Sequence, residues 1–197
     1  NCGCGGSGAW ALWLDRTTIA FPVMMDRAGA SYRLVSAPHV SLTVGDLSDL
    51  QKEADRRTKH AHYQALVLSG PSGQPLSAGE VKDLLRGPLL LETVRDGAVI
   101  DRCGVQIAGV LDDIYAGARA QKLGVNWESG APTLKLWAPT ASDVKLRLWL
   151  DEGGWPAGGS VVECDRDDDG VWTVSGHPDW EDAEYLWEVR VYVPSVG

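Results

Sequence analysis

The chain has 197 residues, 44% of them apolar and 23% charged, with a formal net charge of −9. That length buries a real core in one large domain or two small ones. The acidic balance argues against nucleic acid and anionic membranes as partners, because both would repel it. No apolar run approaches the roughly 18 residues of a membrane span. No basic start, apolar stretch and cleavage site open the chain as a secretory leader would.

The charge is unevenly spread. Residues 1–120 hold 12 basic and 13 acidic side chains, whereas residues 121–197 hold 6 and 14, together with seven of the nine Trp residues. A nearly neutral, Trp-poor stretch followed by an acidic, Trp-rich one predicts two modules with different surfaces.

Asn1–Gly8 contains Gly3, Gly5 and Gly8 in G-x-G-x-x-G spacing. That pattern cradles a pyrophosphate only between a strand and a helix. Here nothing precedes it, and residues 1–8 read as a flexible start. Short β-rich runs follow at 10–14, 18–23, 31–35 and 40–44, with Asp15-Arg16 and Pro38-His39 as turn-like breaks, the pattern of an antiparallel sheet. Residues 46–57 place Leu47, Leu50 and Ala54 at helical spacing behind Asp46 as N-cap. Tyr63–Leu68 returns to strand. Ser77 with Glu80 three residues on is a capping-box signature for a helix over 77–85. Asp96-Gly97 between 89–95 and 98–102 is a type I′ hairpin signal. Residues 106–115 close the first module.

In the second module, strands are predicted at 133–138, 144–150, 160–164, 171–174 and 185–193, separated by Gly, Pro and Asp clusters. This is the spacing of an immunoglobulin-like β-sandwich. Alternation puts Tyr185, Trp187, Val189, Val191 and Val193 on one face, with Trp187 in the core. It sends Leu146, Leu148 and Leu150 inward with Leu134, Leu136 and Ala138. Lys145, Arg147 and Trp149 then point outward, as do Lys135 and Trp137. Trp155, in the loop Gly153–Pro156, has nothing obvious to bury it. Outward indoles beside basic side chains suit the C–H face of a pyranose ring and its hydroxyls. Lys135, Trp137, Lys145, Arg147, Trp149 and Trp155 are therefore the candidate carbohydrate-binding residues. Packing against another domain of the same polypeptide is the other use of such a face.

The four Cys residues, Cys2, Cys4, Cys103 and Cys164, show no C-x-x-C pair, so neither a structural zinc site nor a disulfide scaffold is expected. Residues 165–170 (DRDDDG) imitate the start of a calcium loop. The twelfth position would be Gly176, where a bidentate Glu is needed, and a hairpin turn accounts for the run instead. His60 and His62 would share a strand face without a third ligand nearby. No metal and no cofactor is predicted.

Three segments together carry a resemblance. They are Gly104–Tyr115 followed by Leu123-Gly124, then Leu134–Ala141 with Asp143–Leu146, and Asp169–Val174 leading to Trp180-Glu181 and Tyr185–Val189. In this order they resemble the N-terminal part of pullulanase-type starch debranching enzymes, the plant and algal limit dextrinases among them. Ala11–Asp15, Ile19–Phe21 and Ser31–Leu34 are similar to the first domain of that family. The resemblance implies a β-rich N-terminal domain over 9–118 and a family 48 carbohydrate-binding module over 119–197, cut short at its C-terminal end. In the family a catalytic α-amylase-type barrel would follow, hydrolysing α-1,6 linkages in pullulan and limit dextrins. Such a barrel needs about 250 residues of alternating strand and helix. Retaining chemistry needs two carboxyl groups about 5 Å apart. No catalytic residue is therefore assigned to this chain. The implied role is non-catalytic positioning, with starch, pullulan or limit dextrin and the absent barrel as partners. The implied setting is the plastid stroma for a plant or alga, and otherwise a bacterial cytoplasm or secreted enzyme. A purely structural interface module and a β-sandwich protein-binding adaptor are the alternatives.

Overall fold

A computed structural model describes residues 11–22, 29–45, 63–150 and 158–193. The Gly-rich start, Cys2 and Cys4, the helix expected at 46–57, His60 and His62, and Trp155 lie outside the described residues. The chain divides into two compact units, with the division along the sequence falling between Ile114 and Tyr115.

In the first unit the β-rich runs become β1 (Ala11–Asp15), β2 (Thr18–Pro22), β3 (Ser31–Leu34), β4 (Ser41–Gly45), β5 (Tyr63–Ser69), β6 (Leu90–Arg95) and β7 (Ala98–Gln106). They close into a barrel in the order β1-β2-β5-β4-β3-β6-β7. All pairings are antiparallel except the closing one, where β1 runs parallel to β7 through Ala11↔Val105 and Leu12↔Gln106. Among the described strands, closure leaves no free sheet edge. It joins the two ends of the unit, a pairing that no local sequence signal encodes.

Asp96 (φ 52°) and Gly97 (φ 79°) both adopt left-handed backbone, as the β6–β7 type I′ turn requires. The capping box holds α1 (Ala78–Leu84). Ser77 N–H donates to Glu80 Oε2 at 2.8 Å, and Glu80 N–H donates to Ser77 Oγ at 3.2 Å. Val81 and Leu84 are its buried residues. The helix α2 (Ala108–Ile114) lies tightly on β1, because a Cβ on Gly109 would stand 2.6 Å from the Leu14 carbonyl oxygen. Trp13, Phe21, Leu34, Leu66, Leu68 and Leu91 are fully buried and fill the barrel core.

The second unit opens with a short 3₁₀ turn (Ala116–Ala120). It continues through β8 (Gly124–Glu128), β9 (Ala131–Trp137), β10 (Asp143–Trp149), β11 (Ser160–Glu163), β12 (Asp165–Arg166), β13 (Val171–Ser175) and β14 (Glu184–Arg190). One sheet has the order β11-β10-β14 and the other β12-β13-β9-β8. Leu146 and Leu148 from the first sheet meet Leu134 and Val174 from the second in one core cluster, and Val144 meets Trp172 in another, so the unit is a two-layer β-sandwich.

The strand expectations for the second unit are corrected at three places. The strand β8 is paired to β9 across a turn at Ser129 (φ 56°) and Gly130 (φ 81°), although its sequence has no apolar alternation strong enough to mark it. Leu150, expected inside, lies beyond the end of β10 and is 52% exposed. The last strand stops at Arg190, and its inward face is only half covered: Trp187 packs on the core, whereas Tyr185 and Val189 are exposed. The cause is topological, since among the described residues β14 is the outer strand of its sheet.

Candidate glycan-facing surfaces of the sandwich

Lys145, Arg147 and Trp149 share the outward face of β10, opposite the core residues Leu146 and Leu148. The exposure expected of Trp149 is corrected: it is buried. The backbone at Gly159 crosses its indole so closely that a Cβ there would stand 2.7 Å from Trp149 Cε2 and 3.0 Å from Arg147 Cγ. Glycine at φ +82° permits that crossing.

Both basic side chains on this face are held inside the sheet. Lys145 Nζ donates to Glu163 Oε1 at 2.6 Å, and this carboxylate raises the lysine pKa above its ordinary value. Arg147 Nε pairs with Glu188, and its Nη1 donates to the Gly158 carbonyl at 3.0 Å. Glu163 and Glu188 flank Lys145 on β11 and β14 through the registers Lys145↔Glu163 and Lys145↔Glu188. The pairs are cross-strand neighbours fixed by register.

Lys135 and Trp137 lie on the other sheet. Lys135 Nζ donates to Gln121 Oε1 at 2.8 Å, and half-buried Trp137 donates its Nε1–H to the Asp169 carbonyl at 3.1 Å. Gln121 also donates to Asp167 at 3.1 Å, so both residues help strap the 116–121 segment to the 165–170 turn. Within that turn, Asp167 Oδ1 accepts the backbone N–H groups of Asp169 and Val171, both at 2.9 Å. This is Asx-turn chemistry. The candidate residues therefore fall into two groups on different sheets rather than one constellation.

The structure shows a second surface that the sequence reading did not single out. Trp127 on β8, Trp180 in the short turn Pro178–Trp180 and Tyr185 on β14 line an open cleft of about 120 Å³ whose floor is Leu134 and Leu148. Trp127 is 44% exposed and Tyr185 39%. Both numbers mark aromatic surface turned to solvent. The available signal was the strand alternation of β14, read as core, combined with a sheet order that leaves this strand outermost.

Among the described residues, Glu92 is the one buried acid. Its carboxylate accepts from Arg33 Nε at 2.7 Å and from Arg102 Nε at 2.8 Å, and these bonds hold its pKa below the ordinary carboxylate value. A general acid needs the opposite shift. Glu92 is thus a structural anion on the barrel wall.

The fold and surface define a class: an all-β barrel module followed by a β-sandwich bearing aromatic side chains. Comparison with known proteins sharpens it. Residues 8–113 match the family model of the Pullulanase N2 domain, and residues 122–195 match that of carbohydrate-binding module 48 (isoamylase N-terminal domain). A pullulanase of Klebsiella pneumoniae is 34% identical over 199 residues, covering 94% of this chain and 17% of the relative. The chloroplastic pullulanase 1 of Arabidopsis thaliana is 30% identical over 119 residues, covering 59% and 12%. The crystal structure of PulA from Klebsiella oxytoca superposes with a TM-score of 0.75 at 25% identity, over 94% of this chain and 18% of that one. The maltotriose complex of PulA from Klebsiella pneumoniae gives 0.75 at 27%, over 94% and 20%. The chain belongs to the pullulanase family, as a non-catalytic N-terminal region, and spans less than a fifth of the curated relatives it matches.

Proposed function

We propose that the chain serves as the front, non-catalytic region of an α-1,6-glucan debranching hydrolase in starch or glycogen breakdown. Residues 9–118 form the N-terminal domain and residues 119–197 the carbohydrate-binding module. The sandwich contacts α-glucan, and the chain positions a catalytic barrel on the same polypeptide. The observation that carries the reading is the order of the two family matches along one chain, with 34% identity running through both. One relative is chloroplastic and another bacterial. The proposed setting follows them: stroma in a plant or alga, cytoplasm or exterior in a bacterium.

A specific observation favours a second role for one surface. The cations of the Lys145–Arg147–Trp149 face are tied to Glu163 and Glu188, and its indole is covered. A face whose donors are spent internally suits packing against a neighbouring domain better than reading sugar hydroxyls. The test is affinity electrophoresis in amylopectin gels alongside a reducing-sugar assay on pullulan. Retardation without sugar release is the expected result. Pullulan hydrolysis by these 197 residues overturns the non-catalytic reading, and unaltered migration overturns the glucan contact.

A further inference from the structure

We propose that the cleft between Trp127, Trp180 and Tyr185 is a binding subsite for a neutral glucose ring of an α-glucan chain. The inference rests on the α-glucan reading above and gives it a location away from the outward face of β10.

The core residues Leu134 and Leu148 line the base of the cleft, so its base is apolar and anchored in the packed interior. One wall is Trp127, carried on β8. The opposite wall is Trp180, fixed where it stands: a Cβ on Gly176 would come within 2.5 Å of its ring, and its ring also meets that of His177 with centroids 6.3 Å apart. Tyr185, braced edge-on against Trp187 at 6.3 Å, closes the third side. Two or three aromatic planes around an apolar floor bind flat C–H surfaces.

The polar content selects among ligands. Glu181 is the single ionised side chain lining the cleft, and no Lys or Arg does so. A phosphate or carboxylate would meet repulsion and no partner. A hydroxylated neutral ring offers O–H donors to the carboxylate and C–H faces to the indoles. Glu181 and Tyr185 both line the cleft and are exposed, so they are the groups that could meet ring hydroxyls.

The test titrates the full chain with maltoheptaose by calorimetry and Trp fluorescence, comparing wild type with Trp127→Ala, Glu181→Gln and Arg147→Ala. Trp127 is exposed and Glu181 lies at the surface, so both variants keep the fold, which circular dichroism checks. The proposal expects binding weakened about tenfold or more in Trp127→Ala, the loss of roughly one aromatic contact. It expects several-fold weakening in Glu181→Gln and unchanged affinity in Arg147→Ala. Unchanged affinity in Trp127→Ala with loss in Arg147→Ala overturns the cleft and leaves the α-glucan reading standing. No binding by wild type overturns both. A Trp127→Ala variant that alters sedimentation but not sugar binding overturns the proposal in favour of a protein-contact face.

Discussion

Glu92→Gln is the most direct probe of what holds the barrel together. Glu92 lies on β6 between Arg33 on β3 and Arg102 on β7, in the registers Arg33↔Glu92 and Glu92↔Arg102. Its side chain is 3% exposed, whereas those of Arg33 and Arg102 are 57% and 52% exposed. Breaking a fully buried ion pair costs about 3–5 kcal/mol, and a hydrogen bond to a charged group is worth about 1.5–3 kcal/mol. Because both guanidinium groups regain water when the anion is removed, the lower part of that range applies, about 2 kcal/mol. The Glu92 pKa is lowered on folding from 4.5, first by the Arg102 hydrogen bond and then by that of Arg33. Its contribution is therefore complete above the unfolded value and is lost as pH falls through the lowered one. Urea unfolding with hydrogen-exchange mass spectrometry on β6 and β7 peptides reports the barrel separately from the Trp-rich unit. The variant should unfold at lower urea at pH 7, and the gap should narrow and then close as pH falls below 4.5 and through the lowered Glu92 pKa, where protonated Glu92 comes to resemble Gln. Equal stability at pH 7, or a gap that persists in acid, would refute the reasoning.

Three further outcomes follow from the sandwich. Gly159→Ala should destabilise it by about 2 kcal/mol or more, since the new methyl meets the Trp149 indole and the backbone is left-handed; denaturation followed by Trp fluorescence measures the loss, together with a red shift as the ring is uncovered. Arg147→Ala should change stability by less than about 1 kcal/mol in the same assay, because its pair with Glu188 is partly open to water. Burial pushes the Cys164 thiol up to about 11, so peptide-mapped alkylation should be slow at pH 8 and rise about tenfold per pH unit toward pH 10; a plateau near pH 9 would contradict the buried environment.

Local signals in the sequence carried the elements with strong chemistry of their own. Ser77 and Glu80 announced α1, and Asp96-Gly97 announced the β6–β7 turn, because a cap and a left-handed dipeptide act over three or four residues. Alternation in β10 located Leu146 and Leu148 in the core. Long-range pairing escaped such signals. The parallel β1–β7 closure joins residues about ninety apart in the chain, and β8 is a strand because β9 pairs with it. Exposure escaped for a related reason. Alternation gives the face on which Trp149 lies, but the cover comes from Gly159, a residue with no apolar signature. The cleft was hidden because Tyr185 reads as core until the sheet order shows that its strand is outermost.

The charge distribution links these observations to function. Residues 121–197 hold six basic side chains, and five of them have partners within the unit: Lys135 with Gln121, Lys145 with Glu163, Arg147 with Glu188, Arg166 with the Tyr115 hydroxyl and the Pro139 carbonyl, and Arg190 with Asp143. With 14 acids against these six bases the stretch is net negative, so its surface repels polyanions and offers a neutral polysaccharide neither attraction nor penalty. Affinity for such a ligand must come from desolvated aromatic area with few polar fixings. Trp149 is covered and Trp137 is half-buried with its N–H spent, whereas Trp127 and Tyr185 remain open above an apolar floor. Under the proposed reading the sandwich thus separates two tasks across its surface: cross-strand ion pairs tie up the cations of one face, and the cleft lined by Trp127, Trp180 and Tyr185 is the part that would meet a sugar.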